Sequence, residues 1–234
     1  MGLKAVLFDF NGVIIKDEPI HKKLIEQLIV EENLRPQRGE FERFCLGRSD
    51  RICLVDLLGS RGRVLTESQL EGMIARKARA YLETLEAMPK LPIYPGLRDL
   101  IFNLRSAQLK LAVVSGALRS EILLVLERTE LAPHFSVVVG GDDIKTSKPE
   151  PDGYLLAIDR LNKQFPDLNL KPSECLAIED TPPGIQAAKR AGMSVVGVAN
   201  TYPFHMMQRQ SNWAVDYLSD LELDRVRQVY ARAG

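Results

Sequence analysis

The stretch Val6-Leu7-Phe8-Asp9-Phe10-Asn11-Gly12-Val13-Ile14 constrains this chain more than any other. A short apolar run breaks at a carboxylate, an amide and a glycine, and then resumes. Such a run, bounded by a turn signal, predicts a buried parallel strand whose C-terminal tip carries polar groups. Open α/β sheets bind ligands just outside the carboxyl ends of their strands. Asp9 therefore falls where chemistry is usually done, and Asn11 falls on the same side of the chain.

The segment after this strand decides the architecture. From about residue 17 to 92 the pattern is helical: Ile20, Leu24, Ile25 and Leu28 recur at helical spacing, and Leu54, Leu57 and Leu58 form a second stripe. Thr66 with Gln69 three residues later predicts a capped helix start, with the helix running to about Leu85. Gly39, Gly47 and the Gly59–Gly62 segment punctuate the block. After Tyr94-Pro95-Gly96 helices and strands alternate. Strands are expected at Leu111–Val114, Ser136–Val139, Cys175–Ile178 and Val195–Val198, with helices near 96–107, 119–129 and 151–164. Thr181 and Pro182 suit the start of one more helix. This alternation predicts an α/β fold, a doubly wound parallel sheet with helices on both faces. Residues 1–16 and 93–234 would form its core, and 17–92 an inserted helical module.

Composition narrows the partners. Thirty-one basic residues balance 31 acidic ones, so nothing favours nucleic acid or an anionic membrane. No stretch is apolar enough to span a bilayer, and the first strand begins too early for a signal peptide. Cys45, Cys53 and Cys175 are scattered and lack metal-ligand spacing. They read as reduced thiols of a cytoplasmic protein. Oligomeric state is left open.

Several strands end in a polar group: Asp9 on the first, Ser115 on the second, Glu179 and Asp180 on a later one, with Lys148 in a loop after Val137–Val139. Carboxylates at parallel strand tips, with a hydroxyl and a lysine, suit phosphoryl transfer assisted by Mg²⁺. An aspartate that attacks a phosphate is repelled by its oxygens, so a cation and a lysine must neutralise them. Ser115 and backbone N–H groups such as that of Gly116 would bind the remaining oxygens. Arg119 reads as a phosphate contact or a helix start, and Asp142 or Asp143 as turn residues or a further ligand.

The chain resembles the haloacid dehalogenase (HAD) superfamily, in the branch of β-phosphoglucomutases and phosphoglycolate-type phosphatases. The resemblance rests on four motifs in the family's order: Asp9-Phe10-Asn11-Gly12-Val13, Val114-Ser115-Gly116, Ser147-Lys148-Pro149-Glu150-Pro151-Asp152, and Ile178-Glu179-Asp180-Thr181 with Gly184-Ile185. It implies a Rossmann-like core with a helical cap and a small phosphorylated substrate. It also implies Asp9 as the nucleophile that forms an aspartyl-phosphate. Mg²⁺ would be held by Asp9, the Asn11 backbone carbonyl and Asp180, with Glu179 in support, and the phosphoryl group by Ser115, Gly116 and Lys148. Glu18, Pro19 and His21 match a run at the cap entrance; Arg48 and Ser49 match a cap segment that meets substrate, and Lys77 falls near another.

Asn11 departs from the family, whose phosphatases and mutases carry aspartate there to protonate the leaving group and activate water. An amide does neither, and general acid–base help is typically worth about 10²- to 10⁴-fold. The expectation is a slow phosphohydrolase, with a hexose-phosphate mutase or a catalytically impaired ligand-binding protein as alternatives. His21, whose side chain type titrates near neutrality, is a candidate substitute for the lost proton transfer.

Overall fold

The computed structural model describes residues 2–232. Strand β1 (Ala5–Phe8) is buried along its whole length. It is followed by four helices, α1 (Glu18–Glu31), α2 (Glu40–Phe44), α3 (Asp50–Ser60) and α4 (Glu67–Glu86). The alternating part comprises α5 (Leu97–Ser106), β2 (Lys110–Val114), α6 (Arg119–Arg128), β3 (Val137–Val139), α7 (Asp152–Gln164), β4 (Cys175–Glu179), α8 (Pro182–Arg190) and β5 (Ser194–Val198). It closes with α9 (Phe204–Gln210), β6 (Trp213–Val215) and α10 (Leu223–Arg232).

The six strands form one parallel sheet in the order β3-β2-β1-β4-β5-β6. Side chains alternate between its faces, as a strand's period of two requires. Val6 and Phe8 join the core beneath α5, α6 and α10, while Ala5 and Leu7 join the core beneath α7, α8 and α9. The sheet therefore reads as apolar runs because both faces are covered. Strand β6 and helices α9 and α10 are additions to the expected element list. At three residues, with Trp213 and Ala214 only partly buried, β6 is too short an edge strand to leave a pattern.

Helices α1–α4 form the cap, which has its own apolar centre drawn from Ile25, Leu28, Ile29, Leu54, Leu57 and Leu58, among others. The predicted start of α4 is present as a reciprocal capping box between Thr66 and Gln69. The two crossings between core and cap run side by side: Lys16 N–H donates to the Pro92 carbonyl and Tyr94 N–H to that of Ile14. One expectation is overturned here. Cys45 and Cys53 are joined as a disulfide, their Cα atoms 4.4 Å apart, and are not separate thiols. The turn through Gly47, at φ +76°, reverses the chain between α2 and α3 and brings them face to face. Cys175 remains a free buried thiol.

Truncating Leu57, fully buried in the cap, tests that centre. Leu57→Ala is expected to cost about 2–5 kcal/mol of unfolding free energy in urea titrations followed by circular dichroism. A loss below about 0.5 kcal/mol, the scale of an ordinary surface substitution, would mean that the cap core adds nothing to cooperative stability.

Candidate active site

Strand order reverses at the β1–β4 boundary, the switch point where open α/β sheets leave a crevice. Phe8 pairs with Ile178 across that boundary, so Asp9 and the Glu179-Asp180 pair emerge side by side. Asp9 Oδ1 accepts from the Phe10 N–H at 2.7 Å and meets Lys148 Nζ at 2.8 Å. Lys148 also donates to Glu179 Oε1 at 2.6 Å, as does the Tyr154 hydroxyl at 2.5 Å. Burial alone would lower the Lys148 ammonium, but Asp9 and Glu179 together raise it above the ordinary lysine range, so it stays charged. The neighbouring strand β2 delivers Ser115, whose Oγ accepts from the Ala117 N–H at 3.0 Å and donates to Asn11 Oδ1 at 3.4 Å.

Ligand atoms of Asp9, Glu179 and Asp180 lie within 4.8 Å of one another. Burial raises the carboxyl groups of Glu179 and Asp180, and the charge of Asp9 raises them further. Thr201 donates to Asp180 Oδ2, yet Asp180 Oδ1 is buried without a partner. A crowded set of hard oxygen donors with one orphaned oxygen fits a divalent cation. Gly12 lets the loop pass this close: a Cβ there would stand 1.8 Å from Asp180 Oδ2.

Asn11 is fixed by a residue that the motif reading missed. Its amide NH₂ donates to both carboxylate oxygens of Asp17, at 3.1 and 2.9 Å. His21 Nε2 lies 3.1 Å from Asp17 Oδ2 and 3.1 Å from Asn11 Nδ2. Tyr81 donates its hydroxyl to Asp17 and stacks on the His21 ring, centroids 4.6 Å apart. Burial alone would raise Asp17; the charge of His21 and bonds from His21, Tyr81 and Asn11 outweigh it and hold the carboxyl below its usual range. An aspartate at position 11 would face this carboxylate, whereas the amide satisfies it.

The cleft between core and cap is lined by Asp9, Asn11, Ser115, Gly116, Lys148 and Asp180 below, and by Glu18, His21, Arg48 and Lys77 above, among others. Glu18 Oε1 is buried without a partner, and burial with the Asp17 charge pushes its carboxyl up to about 7. Arg48 lines the cleft but pairs with Asp56 at 2.8 Å and donates to the Phe44 carbonyl. Ser49 does not line it: its N–H donates to Ser147 Oγ at 2.9 Å, joining cap to core. Arg119 and Asp143 turn to each other and to strand-end groups, and Asp142 accepts from the Arg119 N–H. Asn200, which donates to the Gly12 carbonyl at 2.7 Å, and Thr201 were also missed. Both follow the tip of β5, so the strand-tip logic already applied to Asp9 would have found them.

The carboxylate cluster generates a pH prediction. A carboxyl whose folded-state pKa lies above its unfolded value is protonated preferentially in the folded chain. Its contribution to stability therefore falls as pH rises between the two values. A cation that replaces the proton reverses that trend, because it binds the deprotonated groups. The stabilisation that MgCl₂ gives in thermal melts is expected to grow from pH 5.5 to 7.5 and to vanish in Asp180→Asn. Equal shifts at both pH values, or an unaffected variant, would count against a cation at this cluster.

The family profile described as "Hydrolase: haloacid dehalogenase-like hydrolase" matches residues 3–192. A phosphorylated carbohydrates phosphatase from Thermotoga maritima is 29% identical over 204 residues, covering 85% of this chain and 87% of that protein. A phosphoglycolate phosphatase from Shigella boydii is 33% identical over 220 residues, covering 86% and 83%. A crystal structure of β-phosphoglucomutase from Clostridium difficile superposes with a TM-score of 0.85 at 23% identity, over 99% of this chain and 98% of that one. The chain belongs to the haloacid dehalogenase-like hydrolases.

Proposed function

We propose that the protein is a phosphohydrolase that cleaves a small phosphorylated metabolite through an aspartyl-phosphate on Asp9. The observation that carries this reading is the meeting of Asp9 and Lys148, 2.8 Å apart, with Ser115 on the next strand and the cap above. Mg²⁺, held by Asp9, the Asn11 backbone carbonyl and Asp180, would neutralise phosphoryl oxygens as charge builds on them. Lys148 and the Ser115 hydroxyl hold those oxygens, and Glu179 keeps Lys148 in place. Asp9 Oδ2 attacks phosphorus as the phosphorus–ester oxygen bond breaks, and the departing oxygen takes a proton. Water then attacks the aspartyl-phosphate, loses a proton, and releases phosphate with the Asp9 carboxylate restored.

Both proton transfers need a group other than Asn11. We assign them to His21, which lines the cleft with its Nε2 3.1 Å from Asn11 Nδ2 and 3.1 Å from Asp17 Oδ2, so that a proton on that nitrogen is shared with the buried carboxylate. Because that carboxylate occupies the far side of Asn11, a mutase, which relies on strong acid–base catalysis, is the weaker reading. The commitment of the Asn11 amide to Asp17 also supports a second reading, a ligand-binding protein without turnover.

Phosphate esters and acetyl phosphate, assayed with Mg²⁺ and with Asp9→Ala as control, separate these readings; binding without turnover favours the second. His21→Gln is expected to slow alkyl phosphates by about 10²-fold or more while sparing acetyl phosphate, whose leaving group needs no proton. Asn11→Asp alone places two carboxylates in contact, which then share a proton. The swap Asn11→Asp with Asp17→Asn avoids this and should exceed Asn11→Asp alone in kcat on an alkyl phosphate. A swap no faster than the single variant would remove Asp17 from this account.

A further inference from the structure

We infer that the substrate is a short-chain phosphate monoester whose distal end carries a hydroxyl or ammonium and no second anion, and that sequestration of Lys77 by Asp50 and Glu121 sets this selectivity. The inference rests on the phosphohydrolase reading.

It comes from the charges of the cleft. Among the described residues, three permanent cations line it, Arg48, Lys77 and Lys148, and each already has a carboxylate partner. Lys148 serves the phosphoryl end, and Arg48 is turned to Asp56. Lys77, buried on α4, lies 2.7 Å from Asp50 on α3 and 3.5 Å from Glu121 on α6. Burial alone would lower Lys77, but Asp50 and Glu121 raise it, so it stays charged; burial and the Asp50 charge raise the Glu121 carboxyl in turn. A second phosphate or a carboxylate would have to share Lys77 with these two partners or draw it away from them, and leaving a buried carboxylate unpaired is strongly unfavourable. Left in place, the cluster offers an anion no uncompensated positive charge, and penalties against wrong partners are how many sites select. Asp50 lines the cleft at this end, while the unpartnered Glu18 Oε1 stands toward the core, near Gly12 and Asp180. The Asp50 carboxylate suits an ammonium or a hydroxyl donor.

Size points the same way. The cleft holds about 60 Å³ and opens to solvent on one side. By this measure one water needs about 10–15 Å³. That space suits a phosphoryl group with a few carbons.

The test is a matched panel: 2-aminoethyl phosphate, 2-hydroxyethyl phosphate, 2-phosphoglycolate and ethylene glycol bisphosphate, with Mg²⁺ at pH 7.5. We expect kcat/KM for the first two to exceed the last two by at least about tenfold, a difference that needs about 1.4 kcal/mol. Equal or better turnover of either anionic compound would overturn the inference. Asp50→Asn with Glu121→Gln keeps polar partners for Lys77 while freeing its charge, and should narrow the ratio by about tenfold. Because the readout is a ratio within one preparation, partial loss of folded protein cancels. An unchanged ratio in the folded double variant would remove Lys77 from the account; should that variant fail to fold, the panel on the unmodified chain decides the inference. If neither the panel nor acetyl phosphate is hydrolysed above the Asp9→Ala background, the phosphohydrolase reading fails instead. Calorimetric titration with the four compounds then reads the same selectivity as a ratio of Kd values.

Discussion

Three buried carboxylates, Asp9, Glu179 and Asp180, stand together at the tips of β1 and β4, and the repulsion among them governs the site. The parallel register of the two strands leaves no way to separate them. Lys148 offsets part of the charge by bridging Asp9 and Glu179, and Tyr154 and Thr201 supply further donors. A buried ion pair of this kind is weak evidence for stability, since desolvation opposes the attraction. Its meaning lies in chemistry: a cluster short of positive charge attracts a cation and can then face a phosphoryl group. Gly184 is part of the same packing, because a Cβ there would stand 2.0 Å from Glu179 Oε2.

A second charged centre sits between cap and core. Lys77 and Tyr81, one turn apart on α4, face inward: the first holds Asp50 and Glu121, the second Asp17 and the His21 ring. One cap helix thereby orders both the distal end of the cleft and the group proposed to move protons. The two centres divide the work by charge. In the proposed reading the core centre takes a phosphoryl group with its cation, and the cap centre turns a second anion away.

Asn11 takes its meaning from this arrangement. Read alone, it is a missing acid. Beside an ionised, fully buried Asp17, it is the side chain that satisfies both its neighbours, with Nδ2 toward Asp17 and Oδ1 toward Ser115. The amide and the carboxylate are therefore a matched pair, and changing either alone puts like charges, or unpaired groups, in contact.

Apolar runs of strand length, each ending in a carboxylate or hydroxyl, and their alternation with helical stripes determined the parallel sheet, its inserted helices and the strand tips as the place for chemistry. These signals are local, since hydrophobic periodicity is carried by neighbours in the chain. Strand β6 escaped because three residues, two of them partly exposed, carry no period. Asp17 escaped for a different reason: its burial depends on Tyr81, 64 residues away. The pairing of Lys77 with Glu121, 44 residues apart, is equally invisible to a local pattern, and the junction of Cys45 with Cys53, only eight residues apart, needed the turn between α2 and α3 to bring the sulfurs together. A carboxylate or an ammonium in a sequence has a type but no partner. Which charges are buried, which are neutralised and which stay free to meet a substrate was decided only when the fold set cap against core.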